Sequence, residues 1–167
     1  DFVLSSSPAG FRLPSKKVIF IGQAVNAELF RPVASAHKSF VLSIVTIGRI
    51  APVKDYETIL RACNILKNSW ERDFLLSIIG GPILPRDHVY MKTLERLVQE
   101  LGLSAHVHFY GPRPFGEIPA LLQSQDMFIN LSRTGSLDKA VLEAMRTGLT
   151  VITANDAYQS FLPGDYF

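Results

Sequence analysis

Short runs of β-branched and other apolar residues alternate along the chain with stretches in which apolar residues recur every three or four positions. The runs predict strands at Val18 to Gly22, Ser39 to Gly48, Phe74 to Gly80, His106 to Tyr110, Met127 to Leu131 and Thr150 to Thr153. The periodic stretches predict amphipathic helices at Tyr56 to Leu66 and Tyr90 to Leu101, then shorter helices over about Gly116 to Gln123 and Leu137 to Arg146. Because strand, helix, strand repetition requires crossover connections, the pattern predicts a Rossmann-like α/β fold, with a mostly parallel sheet and helices on both faces.

The two ends of the chain break this rhythm. Residues 1–17, rich in Ser, Pro and Lys, predict a short extended segment and a linker rather than part of the repeating unit. Pro163 to Phe167 stops where a doubly wound domain ordinarily continues into another helix, and the first residue is Asp1. We therefore expect a domain over residues 18–167 that is truncated at both ends and belongs to a longer protein.

Composition narrows the class of protein. The chain has 167 residues, 47% of them hydrophobic, and a mean hydropathy of +0.18, which is enough apolar material for one domain with a core. Its 17 Lys and Arg against 15 Asp and Glu give a net charge of +2 without a basic run, so no nucleic-acid partner is predicted. A lone cysteine, Cys63, excludes a disulfide framework, and the helical spacing around it predicts a buried side chain. No apolar run approaches the roughly 18 residues of a membrane span.

The loop after the second predicted strand is the first candidate for ligand binding, because ligands of open parallel sheets bind beyond the carboxyl ends of the strands. Gly48 allows a sharp turn there, and Arg49 and Lys54 are close enough in sequence to converge on one anion. The alternative, two solvated cations beside a turn, stays open from spacing alone.

A second candidate lies between Ser132 and Glu143. Ser136 is predicted to cap a helix whose first turn presents free amides to an anion. Glu143 stands between apolar positions and needs a partner, either Lys139 one helical turn away or the hydroxyls of a ligand such as ribose. In another loop, Gly111 to Pro114, Arg113 and its neighbours offer backbone groups to a planar base, or else form only a stiff turn.

Several function classes lack their motifs. The chain has no three-glycine dinucleotide fingerprint and no phosphate loop ending in Gly-Lys-Ser/Thr, which disfavours NAD enzymes and P-loop NTPases. His106 and His108 have no third ligand at metal spacing, so no metal site is predicted. No arrangement for covalent catalysis can be assembled from the spacing of its residues.

Five motifs, one of them made of two segments, together resemble the C-terminal, nucleotide-sugar-binding half of retaining GT-B glycosyltransferases of group 1, family 4. The resemblance spans nearly the whole chain and keeps the family's order and spacing. The matching segments are Gln23 to Pro32, Ile47 to Tyr56, Ile78 to Pro82 with Val107 to Gly111, Gln125 to Ile129, and Ala140 to Ile152.

The resemblance implies a role for each matched residue. Arg49 and Lys54 would bind the donor diphosphate and offset charge on the departing nucleotide, and Glu143 would accept hydrogen bonds from ribose hydroxyls. It further implies a UDP- or GDP-sugar as hexosyl donor, no metal cofactor, and a saccharide or lipid-linked acceptor bound by a missing N-terminal domain. The fragment alone is then expected to be inactive. A cytoplasmic location is expected, with peripheral membrane contact of the longer protein left open.

One departure from the family pattern affects sugar recognition. The position of the usual first glutamate, eight residues before Glu143, is Gly135, and a family glycine is replaced by Asp138. We expect the donor sugar to be recognised by this loop and the start of its helix, which are Thr134, Gly135, Ser136, Leu137, Asp138 and Lys139. The departure also supports an alternative, a nucleotide-binding or regulatory module without transfer activity. A sugar-nucleotide epimerase is a third reading, but its catalytic carboxylates and histidine cannot be placed.

Overall fold

The computed structural model of the protein describes residues 1–8, 10–11, 13–33, 40–159 and 162. Strands β1 (Val3–Ser5) and β2 (Val18–Phe20) come first. The repeating part follows as β3 (Leu42–Ile47), α1 (Tyr56–Ser69), β4 (Phe74–Ile79), α2 (Pro85–Glu100), β5 (Val107–Gly111), α3 (Ile118–Gln123), β6 (Met127–Asn130), α4 (Lys139–Thr147) and β7 (Thr150–Thr153). Single turns of 3-10 helix occur at Pro52–Lys54, Phe115–Glu117 and Asp156–Tyr158. The predicted α/β architecture is confirmed.

Among the described residues, five strands form a parallel sheet in the order β5, β4, β3, β6, β7. The chain runs outward from β3 to β5 on one side and then crosses to β6 and β7 on the other. The order therefore reverses between β3 and β6, and the loops that leave these two strands diverge there. Such a switch point opens a crevice at the carboxyl edge of the sheet, where ligands of open α/β sheets bind.

The helices cover both faces of this sheet, because adjacent strand residues point to opposite sides. Ile44 belongs to a buried cluster shared with α1 and α2, whereas its neighbour Val45 belongs to one shared with α3 and α4. Cys63 is buried on α1, as predicted. Gly102 has the positive φ of +62° that its place just past α2 requires.

The first predicted strand behaves differently from the others. Strand β2 does not join the five-stranded sheet but pairs with β1 in a separate parallel pair, register Val3 to Val18 through Ser5 to Phe20. The pair joins residues on both sides of the boundary predicted at residues 17 and 18. The Ser39 end of the second predicted strand and the segment Pro163 to Phe167 lie outside the described residues.

Candidate functional site

The loop after β3, residues 48–55 and here called the β3 loop, forms one wall of the crevice. Its backbone is fastened to the neighbouring strand: Gly48 N donates to Ile79 O at 2.9 Å and Ile50 N donates to Gly81 O at 3.1 Å. Ile50 and Ala51 are buried at 1% and 2% exposure, so the loop also packs into the core. The fixed backbone leaves its cationic side chains at the edge of the sheet.

A close approach of two glycines fixes this wall further. Gly80 has φ of +135°, and a Cβ placed on it would lie 1.9 Å from Gly48 O. Only glycine fits this contact, because any side chain would overlap a backbone oxygen. The glycine pair after β4, which in sequence reads as a plain turn, therefore sets the position of the β3 loop.

The two predicted phosphate-binding cations lean toward opposite sides of the β3 loop. Arg49 Nε lies 3.8 Å from Asp87 Oδ2 in the first turn of α2, and the Arg49 side chain is 39% exposed. Asp87 also accepts a hydrogen bond from Leu84 N at 3.1 Å, and this bond is the main cause that holds its pKa below the ordinary value. Lys54 instead pairs with Asp138, on the far side of the crevice.

The loop after β6, residues 131–138 and here called the β6 loop, forms the opposite wall and is held by buried side chains. Asn130, at the end of β6, accepts from Ser132 N at 3.1 Å and donates to Asp138 Oδ2 at 3.0 Å. Asn155, which is fully buried, donates from Nδ2 to Ser136 O at 2.7 Å. Each amide thus satisfies backbone or side-chain groups that the loop would otherwise leave buried and unpaired.

Residues far away in the sequence also contact the β6 loop. Tyr158 Oη donates to Asp138 O at 2.7 Å. Ser7 Oγ donates to Gly135 O at 3.1 Å and accepts from Gly10 N at the same distance. The segment predicted as a linker is therefore in contact with the predicted sugar-binding loop.

The prediction that Ser136 caps a helix is wrong. Helix α4 begins at Lys139, so Asp138 holds the N-cap position, and it does so without a side-chain hydrogen bond to the helix. Ser136 lies two residues too early, in a loop bent by Gly135 at φ of +72°, and its hydroxyl is 3.1 Å from Thr134 Oγ1. The first turn of α4 consequently has no side-chain cap and directs its amides and its positive dipole end outward from the helix.

Glu143 lies one turn inside α4 and is 5% exposed. Lys139 Nζ lies 3.3 Å from Glu143 Oε1, so the predicted i,i+4 pair is present, yet that oxygen accepts no hydrogen bond from the described residues. Burial raises the pKa of Glu143, and Lys139 opposes that rise. A buried carboxylate oxygen whose ammonium neighbour makes no well-aligned hydrogen bond to it keeps the capacity to accept a ligand hydroxyl.

The base-binding candidate Arg113 is linked to this group through Phe115. Lys139 Nζ stands 4.8 Å from the ring centre of Phe115, two residues after Arg113. Arg113 Nη1 is 4.0 Å from Glu117 Oε2, and its side chain is 41% exposed. It also lines a small cavity with Ser77, Ile79, Tyr110, Leu121 and Gln125.

The contacts join several of the predicted residues into one chain across the switch point. It runs from Lys54 to Asp138, along α4 through Lys139 to Glu143, and over Phe115 to the loop of Arg113. Arg49 stands on the same β3 loop but pairs toward α2. Sequence reasoning missed Ser7, Asn130, Asn155 and Tyr158; of these only Asn130 had a signal, as a polar residue at the end of an apolar strand.

Metal-binding and membrane-spanning features are both absent from the part of the chain that the structure describes. Its His, Cys, Asp and Glu side chains form no group of three or more that could hold a metal ion. No described helix is both long and apolar enough to cross a bilayer.

The sequence matches one family model and is similar to several named glycosyltransferases. Residues 25–160 match the family model described as glycosyl transferases group 1. The chain is 27% identical over 157 residues to the GDP-mannose-dependent alpha-(1-6)-phosphatidylinositol monomannoside mannosyltransferase of Mycobacterium tuberculosis, which covers 85% of this chain and 39% of the relative. It is 29% identical over 112 residues to the D-inositol 3-phosphate glycosyltransferase of Corynebacterium efficiens, covering 66% of this chain and 26% of that protein. The chain thus spans well under half the length of these relatives.

Solved structures share the fold. The Anabaena protein HepE, crystallised with UDP and glucose, superposes with a TM-score of 0.80 at 19% identity over 98% of this chain and 47% of its own. The C-terminal domain of the group 1 glycosyl transferase LpcC from Francisella tularensis superposes with a TM-score of 0.68 at 25% identity, over 78% of this chain and 70% of that domain.

Proposed function

The chain belongs to the glycosyl transferases of group 1, and from this premise we propose that its crevice binds the nucleoside-diphosphate sugar from which a longer protein transfers a hexosyl group. The donor is a UDP- or GDP-sugar and the acceptor a saccharide or lipid-linked sugar bound outside this domain. The transfer retains the configuration of the sugar. The domain alone is inactive, since it supplies the donor site and the acceptor is bound outside it. The reaction belongs to the cytoplasm, where nucleotide sugars are made, with contact to the inner membrane face through the acceptor-binding part.

The observation that carries the proposal is the arrangement across the switch point. A cation, an uncapped helix N-terminus and a buried carboxylate follow one another along the crevice, on Lys54, α4 and Glu143. Four residues of helix separate Lys139 from Glu143, which is about 6 Å along the axis. Positive charge at one end and a hydroxyl acceptor at the other match a diphosphate joined to a ribose.

The chemistry follows from where charge develops. When the bond between sugar and nucleotide breaks, negative charge grows on the oxygen of the leaving diphosphate. Lys54, Arg49 and the amides at the start of α4 lower the barrier by stabilising that charge, so the reaction requires no metal ion. The acceptor attacks on the face from which the nucleotide departs, so that no protein nucleophile takes part. Gly48 permits close approach of the phosphates, Glu143 orients the ribose, Arg113 lies beside the base, and residues 134–139 contact the sugar.

The phosphate role is tested by titrating UDP and GDP into Arg49→Ala and Lys54→Ala and measuring heat of binding. Each substitution removes a charge-assisted contact, and we expect the affinity for the preferred nucleotide to fall about tenfold or more. Exposed cations on α2 provide matched controls, Arg96→Ala and Lys92→Ala, which should bind as the unmodified chain does. Unchanged affinity in both site variants would contradict the proposal.

A second function is favoured by Gly135, which stands where the resembled family carries a sugar-contacting glutamate. It is a nucleotide-binding or regulatory module that has lost transfer. The longer protein separates the two functions when it is incubated with a panel of sugar nucleotides and acceptors. Release of nucleoside diphosphate that depends on acceptor establishes the transferase, and nucleotide binding without release establishes the module.

A further inference from the structure

Asp138 holds the capping position of α4 but its carboxylate is turned away from the helix it precedes. Its Oδ2 atom pairs with the Lys54 ammonium and accepts a hydrogen bond from Asn130 Nδ2 at 3.0 Å. The Lys54 and Asp138 side chains are 18% and 17% exposed, so the pair is largely shielded from water. A short acidic side chain at this position would ordinarily bond the free amides of the first turn. Here it bridges the crevice instead.

Asp138 is also held by contacts other than Lys54, at its backbone carbonyl and at its carboxylate. The Asp138 carbonyl is held by Tyr158 Oη at 2.7 Å and by Val141 N at 3.1 Å. Asn130 is 3% exposed, and the bond from Ser132 N to its Oδ1 turns its Nδ2 toward Asp138. Neighbours on three sides therefore keep the negative charge in the crevice when the lysine moves.

This arrangement conflicts with binding of a bare diphosphate. Lys54 would have to leave Asp138 to neutralise the phosphate, which leaves two negative groups side by side in a poorly solvated crevice. Asn130 supplies one donor and cannot neutralise the charge. A ligand that also brings hydroxyl donors removes the conflict, because the carboxylate then exchanges an ammonium for hydrogen bonds. The glycosyl group of a sugar nucleotide is such a donor, and it is bonded directly to the phosphate that Lys54 would contact.

We infer that Asp138 is a specificity determinant that makes the site prefer an intact sugar nucleotide to the nucleoside diphosphate left after transfer. In the donor complex Lys54 contacts the diphosphate and Asp138 accepts hydrogen bonds from hydroxyls of the sugar. Once the sugar has been transferred, the carboxylate competes with the diphosphate for Lys54 and promotes release of the product. The inference rests on the proposed function, since it takes the crevice to be the donor site.

The test compares affinities for nucleoside diphosphates and their sugars in Asp138→Asn. Calorimetric titration uses UDP, UDP-glucose, GDP and GDP-mannose with the unmodified chain and the variant. We expect the preferred diphosphate to bind about tenfold tighter to the variant, because Lys54 is no longer engaged by a carboxylate. The matching sugar nucleotide should change by less than about threefold, since the freed lysine and the lost hydroxyl acceptor offset each other. The preference of the site for the sugar nucleotide thereby shrinks.

Controls separate the possible outcomes. Asp156→Asn removes the same charge from an exposed side chain two residues before Tyr158 and should keep the original ratio of the two affinities. Diphosphate affinity that stays within about twofold in Asp138→Asn, or equal tightening of diphosphate and sugar nucleotide, overturns the inference while the proposed function stands. Failure of the unmodified chain to bind any of the four nucleotides overturns both.

A second variant covers the case in which Asp138→Asn does not fold, as judged by thermal unfolding. Asp138→Gly is compatible with the backbone there, whose φ of −78° and ψ of 115° are ordinary extended values. It removes the carboxylate entirely, and the same loss of preference is expected of it.

Discussion

The β3 loop and the β6 loop flank one crevice, but different interactions hold them in place. The β3 loop is fixed by backbone hydrogen bonds to β4 and its following turn, by buried Ile50 and Ala51, and by the close contact of Gly80 with Gly48. The β6 loop is fixed by side chains, chiefly Asn130, Asn155 and Tyr158. Backbone anchoring makes one wall rigid. Side-chain anchoring makes the other wall sensitive to what the polar groups contact, which suits the wall that must tell ligands apart.

The largest effect on stability is expected from a substitution that disrupts the backbone contacts of the β3 loop. Gly80→Ala places a Cβ 1.9 Å from Gly48 O at a positive φ, so one of the two strand ends must move. We expect a loss of more than about 4 kcal/mol in the free energy of unfolding, or failure to fold, measured by urea denaturation. Gly116→Ala is the matched control, because a Cβ there meets nothing within 4 Å. Similar stabilities of the two variants would show that the glycine contact does not fix the loop.

A smaller effect on stability is expected from a substitution that removes the side-chain hydrogen bonds of the β6 loop. Asn155→Ala removes the hydrogen bonds that the Asn155 side chain makes with Ser136 O and Ala157 N. A buried polar group that loses a hydrogen bond is no longer compensated for its desolvation. We therefore expect the free energy of unfolding to fall by about 2 kcal/mol and the preferred nucleotide to bind more weakly. The domain should still fold with native circular dichroism. Asn68→Ala, on the exposed face of α1, should leave both properties unchanged; loss of stability without loss of nucleotide affinity would separate this wall from binding.

The smallest effect on stability is expected at Glu143, in the helix α4 that follows the β6 loop. Burial raises its native pKa above the ordinary 4.5, so the stability that this group contributes is complete below pH 4.5 and is lost as the pH rises through the native pKa. Glu143→Gln removes that dependence. Relative to the unmodified chain, the variant should therefore become more stable as the pH is raised from 4 to 7. Its affinity for nucleotide should fall about tenfold, because an amide is a weaker acceptor of ribose hydroxyls.

Urea denaturation across this pH range and nucleotide titration at pH 7 measure the two effects together. Glu95→Gln, exposed on α2, is the matched control for both. Full nucleotide affinity in Glu143→Gln would remove the ribose role, whereas an unchanged pH dependence would show that the buried carboxylate does not titrate in this range.

The two walls also differ in how far the sequence predicts them. Periodicity placed the strands and helices of the main sheet. A glycine and two cations close together after a central strand were enough to single out the β3 loop, but the partners that hold its backbone, Ile79 and Gly81, were not predicted. The β6 loop was located correctly, but the start of its helix was not. Ser, Asp and their neighbours all suit a cap, and which one takes that position depends on Asn155 and Tyr158, which come later in the chain.

The hydrophobic periodicity of the sequence does not predict contacts between polar residues that are distant in the chain. The pair of Lys54 with Asp138 joins residues 84 positions apart, and that of Ser7 with Gly135 joins residues 128 apart. Parallel strands are not joined by a tight turn, so no turn motif in the sequence shows which strands pair. The pairing of β1 with β2 could therefore not be predicted either. Hydrophobic pattern specifies which face of an element is buried, but it does not specify which polar groups meet at its end.

The hydrogen bond from Ser7 to Gly135 links the amino-terminal segment mechanically to the wall of the crevice. A displacement of that segment pulls on the carbonyl of Gly135 and thereby on the loop that leads into α4. An expressed fragment that begins at residue 18 would lack this tether, and its loop would sample wider excursions on the timescale seen by NMR relaxation.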